Sequence, residues 1–405
     1  MRVAVVGGGA AGFFAAINVK EKFPEANVVI FEKSSSVLSK LKISGGGRCN
    51  ITNAAKSINE LSKAYPRGEK TLKKMFQRFS NVDAMDWFQK RGLPLTIQQD
   101  NCVFPVSQNS QSVIDCFLNV CEKLNITIKL NSGIRSLQMK NDKFLLGFQD
   151  GNLNSQEFDF VIITTGGSPK PEGLEWLKKL GHEISSPVPS LFSLSIKDKP
   201  LNKLMGVVVE DVVLKIQSEK FSSNGALLIT HWGISGPATL KLSSFAARFM
   251  NEKNYAFKLQ VNWVGGRNDE LITHELRDIS QNHQAKIMAN YRPYNLPTVL
   301  WHLILDKCNI PHSKLWRDCG KTDFNKIANA LSCDIYSVAG KTAFKEEYVT
   351  CGGVSLSSVD LKTMQSNFCK NLYFAGEVLD IDGLTGGYNF QAAWTTAYIA
   401  SSLGK

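Results

Sequence analysis

Val3-Ala4-Val5-Val6-Gly7-Gly8-Gly9-Ala10-Ala11-Gly12 is the stretch that decides the fold of this chain. Residues 2–6 are short, apolar and β-branched, as in a strand buried on both faces. Glycines 7, 9 and 12 follow at the G-x-G-x-x-G spacing. Behind them Ala15, Ala16, Ile17 and Val19 give a helix with small, apolar residues facing a sheet, and Pro24 marks its end. Val28-Val29-Ile30-Phe31 reads as the second strand, closed by Glu32, 20 residues after Gly12. Each part has a physical task in holding a dinucleotide. Gly7 makes the tight turn, Gly9 lets backbone approach a pyrophosphate, and Gly12 lets helix and strand pack closely. The helix N-terminus offers unpaired N–H groups and a positive dipole end to the phosphates. Glu32 accepts hydrogen bonds from ribose hydroxyls, and its charge argues against the 2′-phosphate of NADP at this position.

Three later segments favour FAD over NAD. Phe160-Val161-Ile162-Ile163-Thr164-Thr165-Gly166-Gly167 is a buried strand ending in a turn; it resembles the strand ending in Thr-Gly that closes the FAD domain of two-dinucleotide-domain flavoproteins, where Thr165 and Gly166 would lie near the pyrophosphate. Asn371-Leu372-Tyr373-Phe374-Ala375-Gly376-Glu377 is another strand, and Gly376 and Glu377 at its end suit the ribityl chain. Gly386-Gly387-Tyr388-Asn389 opens an apolar helix from Phe390 to about Ser401. Its positive N-terminal end, with Gly387, Tyr388, Asn389 and Phe390, would stabilise an anionic reduced flavin.

Residues 40–53 form a loop rich in glycine: Lys40, Ser44, Gly45, Gly46, Gly47, Arg48, Cys49 and Asn50 let backbone pass close to a flat anionic ligand. Arg48 brings fixed positive charge and Asn50 two-way hydrogen bonding. The competing reading is a mobile surface loop. Ala11, Lys33 and Ile134, the last where an adenine-contacting backbone lies in such folds, complete the candidate cofactor contacts.

Lys42-Ile43-Ser44-Gly45-Gly46-Gly47-Arg48-Cys49-Asn50 resembles the signature of the YhiN/BaiN-like bacterial flavoproteins. Val103-Phe104-Pro105-Val106-Ser107, Thr230-His231-Trp232-Gly233-Ile234-Ser235-Gly236-Pro237, Val349-Thr350-Cys351-Gly352-Gly353-Val354 and Gly376-Glu377-Val378-Leu379-Asp380 resemble the same family in the same order. The resemblance spans nearly the whole chain. It implies an α/β fold: a Rossmann-type FAD-binding domain of the two-dinucleotide-binding-domain flavoprotein type, interrupted by a β-barrel insert that carries a helical subdomain. Aminoacetone oxidase-like proteins are fold relatives. FAD would lie extended, its flavin between the FAD domain and the insert. The implied activity is redox conversion of small organic molecules. Two departures stand out. Glu347-Tyr348 replace the family's Ala-Glu before Val-Thr, on the substrate side of the flavin. Thr395-Thr396-Ala397 replace a Ser-Gly in the last helix, a change assigned to packing.

The expected boundaries are 1–186 for the first part of the FAD domain, 187–263 for the first part of the barrel, 264–332 for the helical subdomain, 333–345 for the barrel's return strand and 346–405 for the second part of the FAD domain. In the first block helices are expected near 70–80, at 82–91 with Asn81 as N-cap and Gly92 just past the end, and at 110–124. Strands are expected at 126–130, 133–139 and 144–149, the last two joined by an Asn141-Asp142 hairpin, and at 157–164. Pro169, Pro171, Pro187 and Pro189 mark a linker with a short helix at 173–180. Barrel strands are expected at 191–196, 206–216, 226–230, 255–263 and 333–339, and helices at 240–250, 268–283, 297–308 and 323–331.

The chain has 405 residues, net charge +11 and nine cysteines, none as C-x-x-C. It shows no signal peptide and no apolar run of ~18 residues, so a cytoplasmic protein with reduced thiols and no membrane contact is expected. The charge reads either as a solvated basic surface with lysines scattered along the chain, or as attraction for anions: cofactor phosphates, an acidic substrate or RNA. Oligomeric state is not legible. No second strand–G-x-G-x-x-G–helix unit exists, so NAD(P)H, if it is the electron donor, binds only transiently. Cys49 stands alone, and Cys116 and Cys121 are five apart on a helix, so a dithiol relay is not expected. Cys49 either modulates the flavin or is a packed thiol. The six histidines show no metal-ligand spacing. His231 is the leading catalytic candidate, a near-neutral base moving a substrate proton, with a structural histidine as the equal alternative. Tyr388 faces flavin or substrate, or packs. The function expected is a FAD-dependent oxidoreductase passing hydride between flavin N5 and a small organic substrate, an amine or a C=C or C=O compound. The rivals are an RNA-modifying flavoprotein, set back by the lack of an aromatic-basic RNA module, and a non-catalytic flavin-binding protein.

Overall fold

The computed structural model describes residues 1–149, 155–168, 170–342 and 349–404. The chain divides into two compact units, Met1–Pro189 with Val349–Lys405, and Ser190–Tyr348. The expected junction at 345/346, the Glu347-Tyr348 departure and Pro169 lie outside the described residues.

The first unit is built on β1 (Arg2–Val6), α1 (Ala10–Lys22) and β2 (Asn27–Phe31). β1 pairs in parallel with β2 on one side and with Phe160–Ile163 on the other. Leu372–Phe374 and Thr127–Lys129 extend the parallel sheet outward, and two short antiparallel strands, Val359–Asp360 and Gln365–Ser366, close one edge. Strand order therefore reverses at β1, which puts a crevice at the carboxyl ends of β1 and its neighbours, where open α/β sheets bind ligands. These strands are almost wholly apolar because helices cover them. α1 ends at Lys22, one residue before Phe23 and two before Pro24, and Lys20 and Lys22 complement the negative end of its dipole. Its Phe14 ring packs against Trp87, Phe79 and Trp394, with centroids 4.5, 5.4 and 5.2 Å apart. That aromatic cluster ties α1 to the C-terminal helix Tyr388–Ala400.

Several local expectations are corrected. Residues 157–164 are two strands, because Asp159 turns aside to accept from Arg2 N (2.7 Å). Gln156–Phe158 then joins an antiparallel sheet with Lys143–Phe148, and Phe160–Ile163 enters the parallel one. The N-cap of Asn81–Gln89 is Ser80, in a capping box with Asp83. Asn81 turns its amide inward to the carbonyls of Asn53 and Ala55 (2.8 and 3.0 Å). The glycine-rich loop begins as a helix, α2 (Ser39–Gly47), whose dihedrals leave the helical region at Ser44, Gly45 and Gly46. Leu41, fully buried, anchors that first turn. Asn141 and Asp142 both take positive φ (50° and 59°), as a two-residue hairpin requires.

The second unit contains a closed six-stranded barrel in the order Leu194–Ile196, Gly233–Ser235, Ser222–Thr230, Val208–Ile216, Ala256–Asn262 and Asp334–Lys341. Gly233–Ser235, outside the barrel strands expected from sequence, is a barrel strand, and His231-Trp232 alone make the reversal. The helix expected at 240–250 is two, Pro237–Phe245 and Ala247–Glu252, broken at Ala246. Asp269–Asn282, Thr298–Lys307 and Lys321–Ser332 make the helical part. A buried network joins it to the barrel. Lys307 donates to both oxygens of Asp334 (2.7 and 2.8 Å), and Tyr336 and Trp263 donate to the same carboxylate (2.6 and 3.0 Å). The fold expectation, a Rossmann domain interrupted by a barrel with helices, holds. Among the described residues no helix is long and apolar enough to cross a membrane.

A methyl group at Gly12 would stand 2.0 Å from the Gly7 carbonyl oxygen and 2.8 Å from Thr164 Oγ1. Gly12→Ala is expected to destabilise the first unit by about 1–3 kcal/mol through overpacking, read as a lowered melting temperature; an unchanged melt would refute the close approach.

Candidate functional site

The crevice of the first unit collects most of the expected cofactor residues. At the end of β1, Gly7 N donates to Phe31 O (2.8 Å) and Thr164 Oγ1 to the carbonyls of Val6 and Gly7 (3.0 and 2.9 Å), which fixes the turn. The first intrahelical bond of α1 runs from Phe13 N to Gly9 O (3.1 Å), so the N–H groups of Ala10, Ala11 and Gly12 precede any helical acceptor. A Cβ built on Gly9 meets nothing within 4 Å. Open space above a helix N-terminus with free donors is a cradle shaped for a pyrophosphate, and the residues present fit a dinucleotide such as FAD.

Glu32, at the end of β2, accepts from Gly8 N (2.8 Å) at one oxygen and from Ser34 N and Oγ (2.9 and 2.7 Å) at the other. A carboxylate accepts about four hydrogen bonds, so capacity is left for a ribose hydroxyl. Lys33 beside it is exposed, and Ile134 opens the strand Ile134–Lys140, paired with Phe148. Thr165 and Gly166 follow Phe160–Ile163, with Thr165 exposed. Gly376 takes φ +79°, and its N–H donates to Thr396 Oγ1 (2.9 Å). Thr396, assigned from sequence to packing alone, thus holds the end of that strand. Glu377 accepts from Thr350 N (2.9 Å) and pairs with Lys40 Nζ (2.9 Å), a link across the crevice that sequence spacing did not reveal.

The Ser44–Asn50 turn is held from several sides. Ser44 Oγ donates to Leu41 O (2.8 Å), and Asn50 Oδ1 accepts from Val103 N (3.2 Å). The Arg48 guanidinium lies 4.2 Å from the Phe104 ring centroid and donates to Gly45 O (3.1 Å). Gly46 and Gly47 both have positive φ and face open space. The Asn50 side chain therefore ties the turn to the neighbouring strand Cys102–Pro105. Cys49 is fully buried, and burial pushes its thiol up to about 12. That supports the packed-thiol reading over a reactive one. No disulfide joins any of the nine cysteines.

At the C-terminal helix, Gly387 (φ +88°) is the N-cap, and a side chain there would meet the Thr52 backbone at 2.4 Å. Asn389 closes the preceding loop on itself, accepting from Gly383 N (2.8 Å) and donating to Gly383 O (2.9 Å). Phe390 stacks on Trp394 at 5.6 Å. Tyr388 is half-buried, its ring edge-on to Tyr65, whose hydroxyl donates to Tyr388 O (2.7 Å). Burial pushes the Tyr388 phenol up to about 12, so it is a proton-bearing donor across the neutral range. Thr52, Gln391 and Thr395 form a buried hydrogen-bonded chain ending at Phe79 O, and Arg67 pairs with the fully buried Asp382. Sequence reasoning missed both; a lone Asp among glycines carries no spacing signal.

His231 lies in the second unit, exposed in the barrel reversal, its ring 4.2 Å from that of Trp232. Among the described residues no group of three metal-ligating side chains is clustered.

The family model described as HI0933-like protein Rossmann domain matches residues 1–403. A 3-dehydro-bile acid delta(4,6)-reductase of Clostridium scindens is 26% identical, over 98% of this chain and 98% of its own. A ribosomal RNA dihydrouridine synthase of Escherichia coli K12 is 27% identical, over 97% of this chain and 95% of its own. The structure of 3-ketosteroid delta1-dehydrogenase from Sterolibacterium denitrificans superposes with a TM-score of 0.53 at 10% identity, covering 98% of both chains, a likeness of fold.

Gly9→Ala is expected to fold with an unchanged melting temperature in the cofactor-free protein yet bind added FAD at least about tenfold more weakly, because its methyl group takes space only a ligand would use; equal affinity in a titration would refute the cradle. Native protein treated with iodoacetamide at neutral pH should leave Cys49 unmodified by peptide mapping, since the thiolate is the nucleophile.

Proposed function

Because the chain belongs to the HI0933-like Rossmann family of FAD-dependent oxidoreductases, we propose that it reduces a carbon–carbon double bond conjugated to a carbonyl. The observation that carries this reading is that two full-length relatives with different substrates, a delta(4,6)-reductase and a dihydrouridine synthase, are both named for such a change. A dihydrouridine is a uridine saturated next to its ring carbonyl; a delta(4,6)-reductase saturates ring double bonds. This narrows the wider class of amines and C=C or C=O compounds to the second.

FAD, once bound and reduced, would supply the two-electron chemistry that saturates such a bond. The chain must do the rest. Its α1 N-terminus and Gly9 seat the pyrophosphate, and Glu32 holds a ribose hydroxyl. The N-terminus of Tyr388–Ala400 favours negative charge at the far end of the cofactor. The proton reaches the α-carbon from a protein acid. His231, exposed, and Tyr388, protonated well above neutrality, are the two candidates. NAD(P)H is the proposed electron donor, binding transiently.

A second reading makes a uridine base in RNA the substrate. The net charge of +11 favours it, together with the dihydrouridine synthase relatives.

The test is anaerobic. Protein-bound flavin is bleached with NADH or NADPH and then mixed with an α,β-unsaturated ketone or a uridine-rich RNA, and the return of the yellow band is timed. Reoxidation by either substrate class is the expected result; none by any conjugated carbonyl would refute ene reduction. His231→Ala is expected to slow this step about 10²-fold or more with FAD content unchanged, and an unchanged rate at every pH would remove His231 as the acid.

A further inference from the structure

Basic residues are not evenly spread over this molecule. Residues 56–78 contain Lys56, Lys63, Arg67, Lys70, Lys73, Lys74 and Arg78 against Glu60 and Glu69, so 23 residues carry 7 − 2 = +5 of the chain's +11. All of these cations except Arg67 are exposed. The inner side of the same segment is apolar: Leu61, Leu72, Met75 and Phe76 are buried. Lys70, Lys73 and Lys74 lie on the helix Glu69–Met75 at i, i+3 and i+4, and so share one face. Among the described residues none of the six exposed cations is in an ion pair. Lys73 donates to Asn59 Oδ1 (2.8 Å), and Arg78 donates to the carbonyl of Lys362, which adds another exposed lysine to the edge.

The segment is fastened to the loop that leads into the C-terminal helix. Tyr65 Oη donates to Tyr388 O (2.7 Å), Leu384 N donates to Ala64 O (2.9 Å), and Arg67 pairs with buried Asp382. The charged face therefore flanks the N-terminus of Tyr388–Ala400.

We infer that the outer face of residues 56–78 is a docking surface for the phosphate backbone of RNA, which brings a base toward the N-terminus of the C-terminal helix. This rests on the RNA reading of the substrate. Positive charges strung along an exposed face, without a built pocket, match a repeating anion better than a single small one. A lipid surface fits poorly, because no large apolar side chain between Ile43 and Val82 is exposed and interfacial helices need one.

The test uses the FAD-loaded protein and a fluorescein-labelled uridine-containing RNA hairpin of about 20 nucleotides, with anisotropy read over a salt series. Wild type should bind tightly at roughly 50 mM salt and weaken steeply above it. The triple variant Lys70→Ala, Lys73→Ala, Lys74→Ala should bind at least about tenfold more weakly, with a slope of log K against log salt shallower by about 2 to 3. Its flavin spectrum and melting temperature should match wild type. The variant Lys170→Ala, Lys178→Ala, Lys179→Ala removes equal charge elsewhere on the same unit and should change binding far less. Equal loss in both variants, or none in the first, overturns the docking surface while leaving RNA as a substrate. Wild type that retains no RNA at low salt overturns the RNA reading and the surface with it. Binding to phosphatidylserine vesicles that the first variant loses, with its RNA binding intact, makes the face a membrane contact and also overturns the inference.

Discussion

The first unit depends on one close approach, the backbone of Gly12 in α1 against the carbonyl of Gly7 at the end of β1. No side chain fits there, and the contact sets the helix directly behind the strand. Its consequence is electrostatic. The first N–H groups of α1, left without helical acceptors, converge on open space above Gly9. β1 is also the strand where sheet order reverses, so β2 brings Glu32 to one side of this point and Phe160–Ile163 and Leu372–Phe374 bring Thr165, Gly376 and Glu377 to the other. A seat that fits a nucleotide then follows from packing rather than from any one reactive side chain.

The polar groups around that point are mostly committed to holding backbone. Glu32 braces the turns on both sides of itself, Asn50 and Asn389 tie loops, and Thr396 pins Gly376. Such groups give a cofactor a rigid seat whose donors need no rearrangement on binding, and preorganisation of that kind is where much of a flavoprotein's contribution to catalysis lies. The Lys40–Glu377 pair differs. Lys40 is largely exposed, so the pair is weak and screened by salt, and both partners are available to a ligand.

Elements whose signal is local were legible in the sequence. The strand–glycine–helix opening, the hairpin at Asn141-Asp142 and the helices near 110–124 and 268–283 rest on periodicity and turn chemistry within a few residues, and the structure has them close to those positions. What was not legible depends on partners distant in the chain. Asn81 looks like a cap until Asn53 and Ala55 claim its amide. Gly233–Ser235 looks like a turn until Leu194–Ile196 and Ser222–Thr230 flank it. The basic face is hidden for a related reason. Its lysines are spaced by the leucines and aromatics of the inner side, so that they look scattered until the segment folds and sorts them onto one surface.

The order of strands in the parallel sheet has a consequence for how the protein is made. The glycine turn is synthesised long before Leu372–Phe374 and the helix that packs on α1. Until then the glycine turn stands beside an incomplete sheet with one flank of α1 bare. A chain stalled before residue 372 would therefore lack one flank of the crevice and show hydrophobic surface to chaperones.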